Sequence, residues 1–327
     1  MKRRDLISAL GIAGWAGTGR ALAQQSGLPV IGFLNPVSPE TYTFNVEAFH
    51  KGLRSLGFVE GQNVTIEWRW ANGDYGRMPA LAQELVARKV SVIAATGDIA
   101  VARAAQAATA SIPVVFTIGS DPVAFGLVTS LHRPGGNLTG MTLSTSTLIA
   151  KRVEVLAQLL PQARLFALLI NPDNANAEID IKEAESAART LGREMFVASA
   201  RSSSDFRTAF AAIMERRADG ALIASDPMML SQRAALVAEV ARHRLPTVYW
   251  GTEFVAAGGL VSYGTGITWM YYQAGIYCGR ILRGARVSDL PVQRPTKFDV
   301  VINLKTARSL NIEIPPPLIA LADEIID

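Results

Sequence analysis

The feature that most limits what this chain can fold into is that it runs one programme twice. In each run a short apolar strand ending in Asn-Pro is followed by alternating helices and strands. The first run opens with residues 29–34, which end in Asn35-Pro36, and continues with strands over 63–70, 90–95 and 112–118. Helical spacing of apolar residues places helices over 43–56, 78–88 and 100–109, and a further helical pattern follows Pro122 through Val123, Leu127, Val128 and Leu131. The second run opens with 165–170, ending in Asn171-Pro172. It adds strands over 195–198, 221–224, 247–249 and 260–263 and helices over 181–191, 206–215 and 230–242. Strands of this kind form parallel sheets buried on both faces and joined by right-handed crossovers. The predicted fold class is therefore α/β: two Rossmann-like lobes with parallel sheets covered by helices, and a cleft between them. The repetition is loose in one respect, since Ser120-Asp121-Pro122 follows the fourth strand of its run and Ser225-Asp226-Pro227 the third.

A third segment follows, with a helix over 269–282, a strand over 298–302, a helix over 305–310 and a Pro-rich tail. After two complete lobes it is expected to return to the first. The predicted domains are thus 28–143 plus 269–327 as lobe 1 and 144–268 as lobe 2, with hinges near 141–147 and 263–268. A multi-strand hinge of this type favours closure about a ligand. At 327 residues, of which 49% are hydrophobic, the chain can supply both cores.

Residues 1–23 read as an export signal: a basic start, a Gly-rich apolar centre and Ala21-Leu22-Ala23, a small-x-small cleavage site. Arg3-Arg4-Asp5-Leu6-Ile7 resembles a twin-arginine signal, which makes the periplasm the expected location. The same segment holds three of the net four positive charges, and no basic cluster follows it, so nucleic acid is not an expected partner. The lone Cys278, in a helical context, is expected to be a packed core thiol.

Ligands of open α/β sheets bind beyond the carboxyl ends of the strands. Those ends carry Asn, Ser and Thr and four acids, Asp98, Asp121, Asp226 and Glu253, but no Lys or Arg. Acids there would meet an ammonium group or a set of hydroxyls, while a ligand carboxylate would fall to helix N-terminal amides. Tyr42, Tyr75, Tyr249, Trp250 and Tyr263 lie near predicted loops and could supply a stacking wall. His50, His132 and His243 sit in predicted helices without a carboxylate at metal-ligand spacing, and no GxGxxG or Walker loop follows a strand. No metal, no cofactor and no catalysis are therefore expected. Paired acids across the cleft would be the starting point of an acid/base enzyme, the less economical reading.

Several separated segments carry a family resemblance: 49–53 (FHKGL) with Gly57 and 61–64 (GQNV); 112–116 (IPVVF); Asp121-Pro122-Val123 with 126–128 (GLV); 134–140 (PGGNLTG); and 297–303 (KFDVVIN). Over residues 28–320 the chain resembles ABC-transporter substrate-binding proteins of the tryptophan/tyrosine-binding type, with a type 1 periplasmic-binding-protein fold. The resemblance implies capture of a small solute in the interlobe cleft and its delivery to an inner-membrane permease. With the strand-end acids and nearby aromatics, the expected solute is amino-acid-like or otherwise amine-bearing, or aromatic, taken up by hinge closure, and the protein is expected to be monomeric. A ligand-sensing domain for a membrane receptor or kinase shares the fold and is the alternative. By position, the implied ligand-binding residues are Asn35, Thr96, Gly97, Asp98, Ser120, Asp121, Asn171, Asn176, Asp226, Glu253 and Tyr263, with Tyr42 among the aromatics. The family often has Thr-Pro-Ala after the third strand, where this chain has Thr96-Gly97-Asp98.

Overall fold

The computed structural model describes residues 27–143 and 148–327; residues 1–23, expected to be an export signal, and part of the expected first hinge lie outside them. Lobe 1 is laid down by β1 (Val30–Asn35), α1 (Thr43–Ser55), β2 (Thr65–Trp70), α2 (Met78–Ala87), β3 (Val92–Thr96), α3 (Ile99–Ala108), β4 (Val114–Ile118) and β5 (Leu138–Thr142). The strands form one parallel sheet in the order β2-β1-β3-β4-β5. β3, β4 and β5 are buried at every position, as expected of apolar runs with helices on both faces.

Lobe 2 follows with α4 (Ile149–Leu159), β6 (Leu165–Ile170), α5 (Ala177–Thr190), β7 (Glu194–Ser199), α6 (Phe206–Glu215), β8 (Gly220–Ile223), α7 (Pro227–Ser231), α8 (Arg233–Arg242), β9 (Thr247–Tyr249), α9 (Thr252–Ala256) and β10 (Val261–Gly264). Then come α10 (Thr268–Leu282), β11 (Asp299–Asn303), α11 (Leu304–Leu310), α12 (Pro316–Leu321) and β12 (Glu324–Ile326). The second sheet runs β12-β11-β10-β9-β8-β6-β7.

This topology corrects the expectation that residues 269–327 return to lobe 1 as a block. Only α10 and the stretch after it do so: Gln293 pairs with Met141 beside β5. The chain then crosses back, and the β-branched run Val300-Val301-Ile302 covers the free edge of β10 in antiparallel register, with β12 added beyond it. Closing an exposed edge is the physical reason for the return. The lobes are therefore linked by three crossings, β5 to α4, β10 to α10, and the segment leading from α10 to β11.

Two helix boundaries also differ from expectation. The pattern after Pro122 forms successive turns rather than a helix. Asp121 accepts from the amides of Val123 and Ala124, and Gly126, at φ +70°, ends the turn so that Leu127 and Val128 can bury against lobe 1. The helix expected over 230–242 is two helices, because Asp226 caps a separate short α7 and the chain bends at Gln232.

α10 docks on α1 in parallel, backbone to backbone. A Cβ at Gly52 would collide with the carbonyl oxygen of Tyr272, and one at Gly275 with that of Phe49. Asn45 consequently lies level with the first turn of α10. Phe33, Tyr42 and Tyr271 of lobe 1 and Trp250 and Phe254 of lobe 2 belong to one continuous buried cluster, so the lobes are closed on each other.

Candidate functional site

The carboxyl ends of β1, β3 and β4 face those of β6, β8 and β9 across the cleft. On the lobe 1 side, Asn35 Nδ2 donates to Thr96 Oγ1 at 2.8 Å and to Tyr271 Oη at 3.0 Å, while its Oδ1 accepts from the Val37 amide. Thr96 Oγ1 in turn donates to the Leu34 carbonyl. These two side chains are fully engaged within the lobe, and what they do is hold the Tyr271 hydroxyl in place. Gly97, at φ +105°, lets the next turn run against Pro36, whose Cδ would lie 3.0 Å from an added Cβ.

Asp98 caps α3 through the Ala100 amide at 2.7 Å and is 4% exposed. Burial, with a contribution from Asp226 across the cleft, pushes its carboxyl up to about 7. Tyr42 is fully buried, and its hydroxyl has no protein partner. Burial holds that hydroxyl well above the ordinary range, and the fields of Tyr271, Asp226 and Glu253 add to the effect while Arg233 opposes it. The Tyr75 hydroxyl is also buried without a partner and is raised by burial, then by Asp226 and Asp98. Ser120, 2% exposed, presents another unpartnered hydroxyl.

On the lobe 2 side the centre is Asp226. One carboxylate oxygen accepts from Asn171 Nδ2 at 3.2 Å and Asn174 Nδ2 at 2.9 Å, and the other caps α7 through the Met229 amide at 3.1 Å. Asn174 Oδ1 accepts from the Asn176 amide, leaving Asn176 Oδ1 buried and unpartnered. Glu253 Oε1 accepts from the Ile267 amide at the hinge, and its Oε2 has no partner. Trp250, 3% exposed, leaves its indole N–H unpartnered. Burial is the main cause raising both Asp226 and Glu253 above the usual carboxylate range. Buried polar atoms are normally hydrogen-bonded. Here both lobes direct unpartnered ones, phenol, indole, hydroxyl and carboxyl, to the strand ends. At the mouth, a groove of ≈370 Å³ lies between Val37, Ser38 and Asp74 of lobe 1 and Arg201, Met228 and Gln232 of lobe 2.

The structure thus brings together Tyr42, Asp98, Ser120, Asn176, Asp226 and Glu253, with Asn35, Thr96, Gly97 and Asn171 as their supports. Two expected residues are elsewhere. Asp121 is exposed and serves the turn described above. Tyr263 stacks on Phe298 at 6.3 Å, on the sheet face away from the interlobe cluster, because side chains alternate along β10 and Val261 and Tyr263 share that face. Of the aromatics proposed as a wall, Tyr249 instead stacks on Phe254 at 5.0 Å inside lobe 2. Sequence reasoning missed Tyr271, Asn174 and Arg233. Asn174 could have been found from the density of Asn in 171–176, whereas Tyr271 occupies a helix position indistinguishable from core.

The raised carboxyl of Asp98 gives the ligand-free protein a specific pH dependence. A carboxyl whose folded pKa lies above its unfolded value stabilises the fold fully below about pH 4, and the contribution is lost as pH rises to about 7. Urea unfolding of ligand-free protein is expected to show stability falling across that window, and Asp98→Asn is expected to flatten the profile.

Two α/β lobes with multiple crossings and a polar cleft at the strand ends define a type 1 periplasmic binding protein. Comparison with known proteins narrows this: the model of the ABC transporter substrate binding protein family matches residues 30–326, and the chain belongs to that family. The Tyrosine-binding protein of Clostridioides difficile (strain R20291) is 27% identical over 267 residues, 82% of this chain and 76% of that protein. A conserved domain protein of Vibrio cholerae O1 biovar El Tor superposes with a TM-score of 0.83 at 26% identity, covering 91% of this chain and all of the other. The ABC domain of Streptococcus pneumonia in complex with L-Trp gives a TM-score of 0.80 at 24% identity, over 92% of this chain and 100% of that one. The chain is the substrate-binding component of an ABC importer, which captures a small solute and passes it to a permease. Among the described residues no helix is long and apolar enough to cross a membrane.

Proposed function

We propose that the solute is an amine-bearing, amino-acid-like molecule with an aromatic side chain, held at Tyr42, Tyr75, Asp98, Ser120, Asn176, Asp226, Trp250, Glu253 and Tyr271. The observation that carries this is the charge inventory. Three buried carboxyls, all raised by burial, converge with unpartnered phenol and indole groups. An ammonium ion is the ligand group that lets such acids ionise, and the aromatics offer ring faces for stacking. The tyrosine-binding and L-Trp-bound relatives support the same class. Because ionised Asp98 is the form that pairs with an ammonium, affinity should rise with pH between about 6 and 8 and binding should release protons. Calorimetry in buffers of different ionisation enthalpy measures this; a pH-independent affinity without proton release would remove Asp98 from the ammonium site.

Closure is reinforced across the cleft by the Arg233 guanidinium of lobe 2, which lies 5.1 Å from the centre of the Phe44 ring of lobe 1. Such a contact exists only when the lobes meet. Phe44→Leu is expected to weaken solute binding by about fivefold, mostly through faster dissociation. Stopped-flow dissociation kinetics would show it, and an unchanged off-rate would contradict the role. Export through the twin-arginine route follows from Arg3-Arg4 and is tested by secretion in cells lacking that translocase.

A further inference from the structure

Away from the cleft, on the flank of lobe 1, a groove of ≈570 Å³ runs between α1 and the edge strand β2. Thr43, Val46, Glu47 and His50 line one wall, one helical face at i, i+3, i+4 and i+7, and Trp68 and Trp70 line the other. The two indoles project from the same face of β2, lie within 8° of parallel and have centroids 6.0 Å apart. They are partly exposed, so the core does not consume their outer surfaces.

We propose that this groove is a second ligand site, for a small organic ammonium ion such as an alkylated amine. The aromatic wall is preorganised. Glu60 accepts from Trp68 Nε1 at 3.0 Å and pairs with His50 Nε2 at 2.8 Å, and the imidazole stands edge-on to Trp68 with centroids 5.6 Å apart. One carboxylate thus fixes two of the rings. The charge is complementary as well. Glu47 lies exposed on the groove wall, Glu60 bonds the ring nitrogens of Trp68 and His50, and no Lys or Arg lines the groove among the described residues. Ring faces beside a carboxylate recognise a cation whose hydration is weak, for which an alkylated ammonium is better suited than a metal ion or a bare ammonium. A neutral apolar molecule would gain the contact area but nothing from Glu47. The groove shares no lining residue with the groove at the cleft mouth.

The test uses the mature protein and two probes of one shape, choline and its neutral carbon isostere 3,3-dimethylbutan-1-ol. Binding is followed by the indole N–H resonances of Trp68 and Trp70 in nitrogen-15 NMR. Choline is expected to shift both and to bind about fivefold or more tightly than the alcohol. Trp70→Leu should weaken choline by a similar factor, and so should Glu47→Gln, which changes only an exposed side chain and leaves folding intact. Equal binding of the two probes, shifts confined to Trp250, or choline affinity unchanged in Glu47→Gln would each overturn the proposal.

Discussion

Replacing Gly275 with valine is expected to cost about 3 kcal/mol or more of folding stability, near the upper end for overpacked sites. The reason is that Gly275 meets backbone rather than side chain: an added Cβ runs into the Phe49 carbonyl oxygen and approaches the Leu53 amide nitrogen and the Gly52 Cα. A flexible side chain can rotate away, but a helix backbone can yield only by separating α1 from α10. That separation would also displace Tyr271, which stands one turn earlier on α10 and is held by Asn35. Solute affinity should therefore fall together with stability, although no atom of Gly275 faces the cleft. Urea unfolding by circular dichroism checks the first effect, and an unfolding free energy within about 0.5 kcal/mol of the parent would show that the helices tolerate separation.

The second large effect is expected at Asp226, where structural support and the proposed recognition of the solute meet. Asp226→Ala removes the acceptor for Asn171 and Asn174 and the cap of α7. The buried Asn171 amide left without a partner costs about 1–3 kcal/mol and a lost cap about 1 kcal/mol, whereas Asn174 Nδ2 keeps the Ser225 carbonyl at 3.3 Å. Relief of the burial that raises this carboxyl offsets part of the cost, so a net loss of about 1–3 kcal/mol is expected. Solute affinity should drop about a hundredfold or more, as when one partner of a buried charge pair is truncated. Asp226→Asn separates the two roles: it keeps the shape and one oxygen, so most of the stability should return while affinity stays low. Full affinity in Asp226→Asn would show that this carboxylate is scaffold and does not read the ligand.

Much of the site was legible because the strand ends are legible. An apolar run stopping at Asn35, Thr96 or Ala224 announces where a parallel strand leaves the sheet, and the polar residues at or just beyond that point include Asn35, Asp98 and Asp226. The same signal overreached at Asp121, whose Asp-Pro motif matches that of Asp226 residue for residue. One caps exposed turns and the other a buried helix, and only the surrounding topology distinguishes them. Tyr263 failed for a different reason: alternation along a strand fixes that two residues share a face, but not which face the cleft lies on. Tyr271 was hidden because its spacing on α10 is that of a core residue, and it reaches the cleft only because α10 packs so closely on α1.

The lobe assignment divided in the same way. Apolar periodicity located β11 to within a residue of its observed start, but no local feature of Val300-Val301-Ile302 states whether its partner is β10 or β5, or whether pairing is parallel. The decisive fact is the free edge of the second sheet, which exists only once that sheet has been assembled.

The central claim is that buried carboxyls in the interlobe cleft read the ammonium of an aromatic, amino-acid-like solute. The most direct test is calorimetric titration of ligand-stripped protein at pH 8 with L-tryptophan, L-tyrosine, tryptamine and indole-3-propionate, alongside a panel of sugars. Tryptamine, which keeps the amine, should retain much of the affinity of L-tryptophan, whereas indole-3-propionate, which lacks it, should bind about a hundredfold more weakly or not at all. Indole-3-propionate binding as tightly as L-tryptophan, or a sugar binding more tightly than either amino acid, would contradict the account.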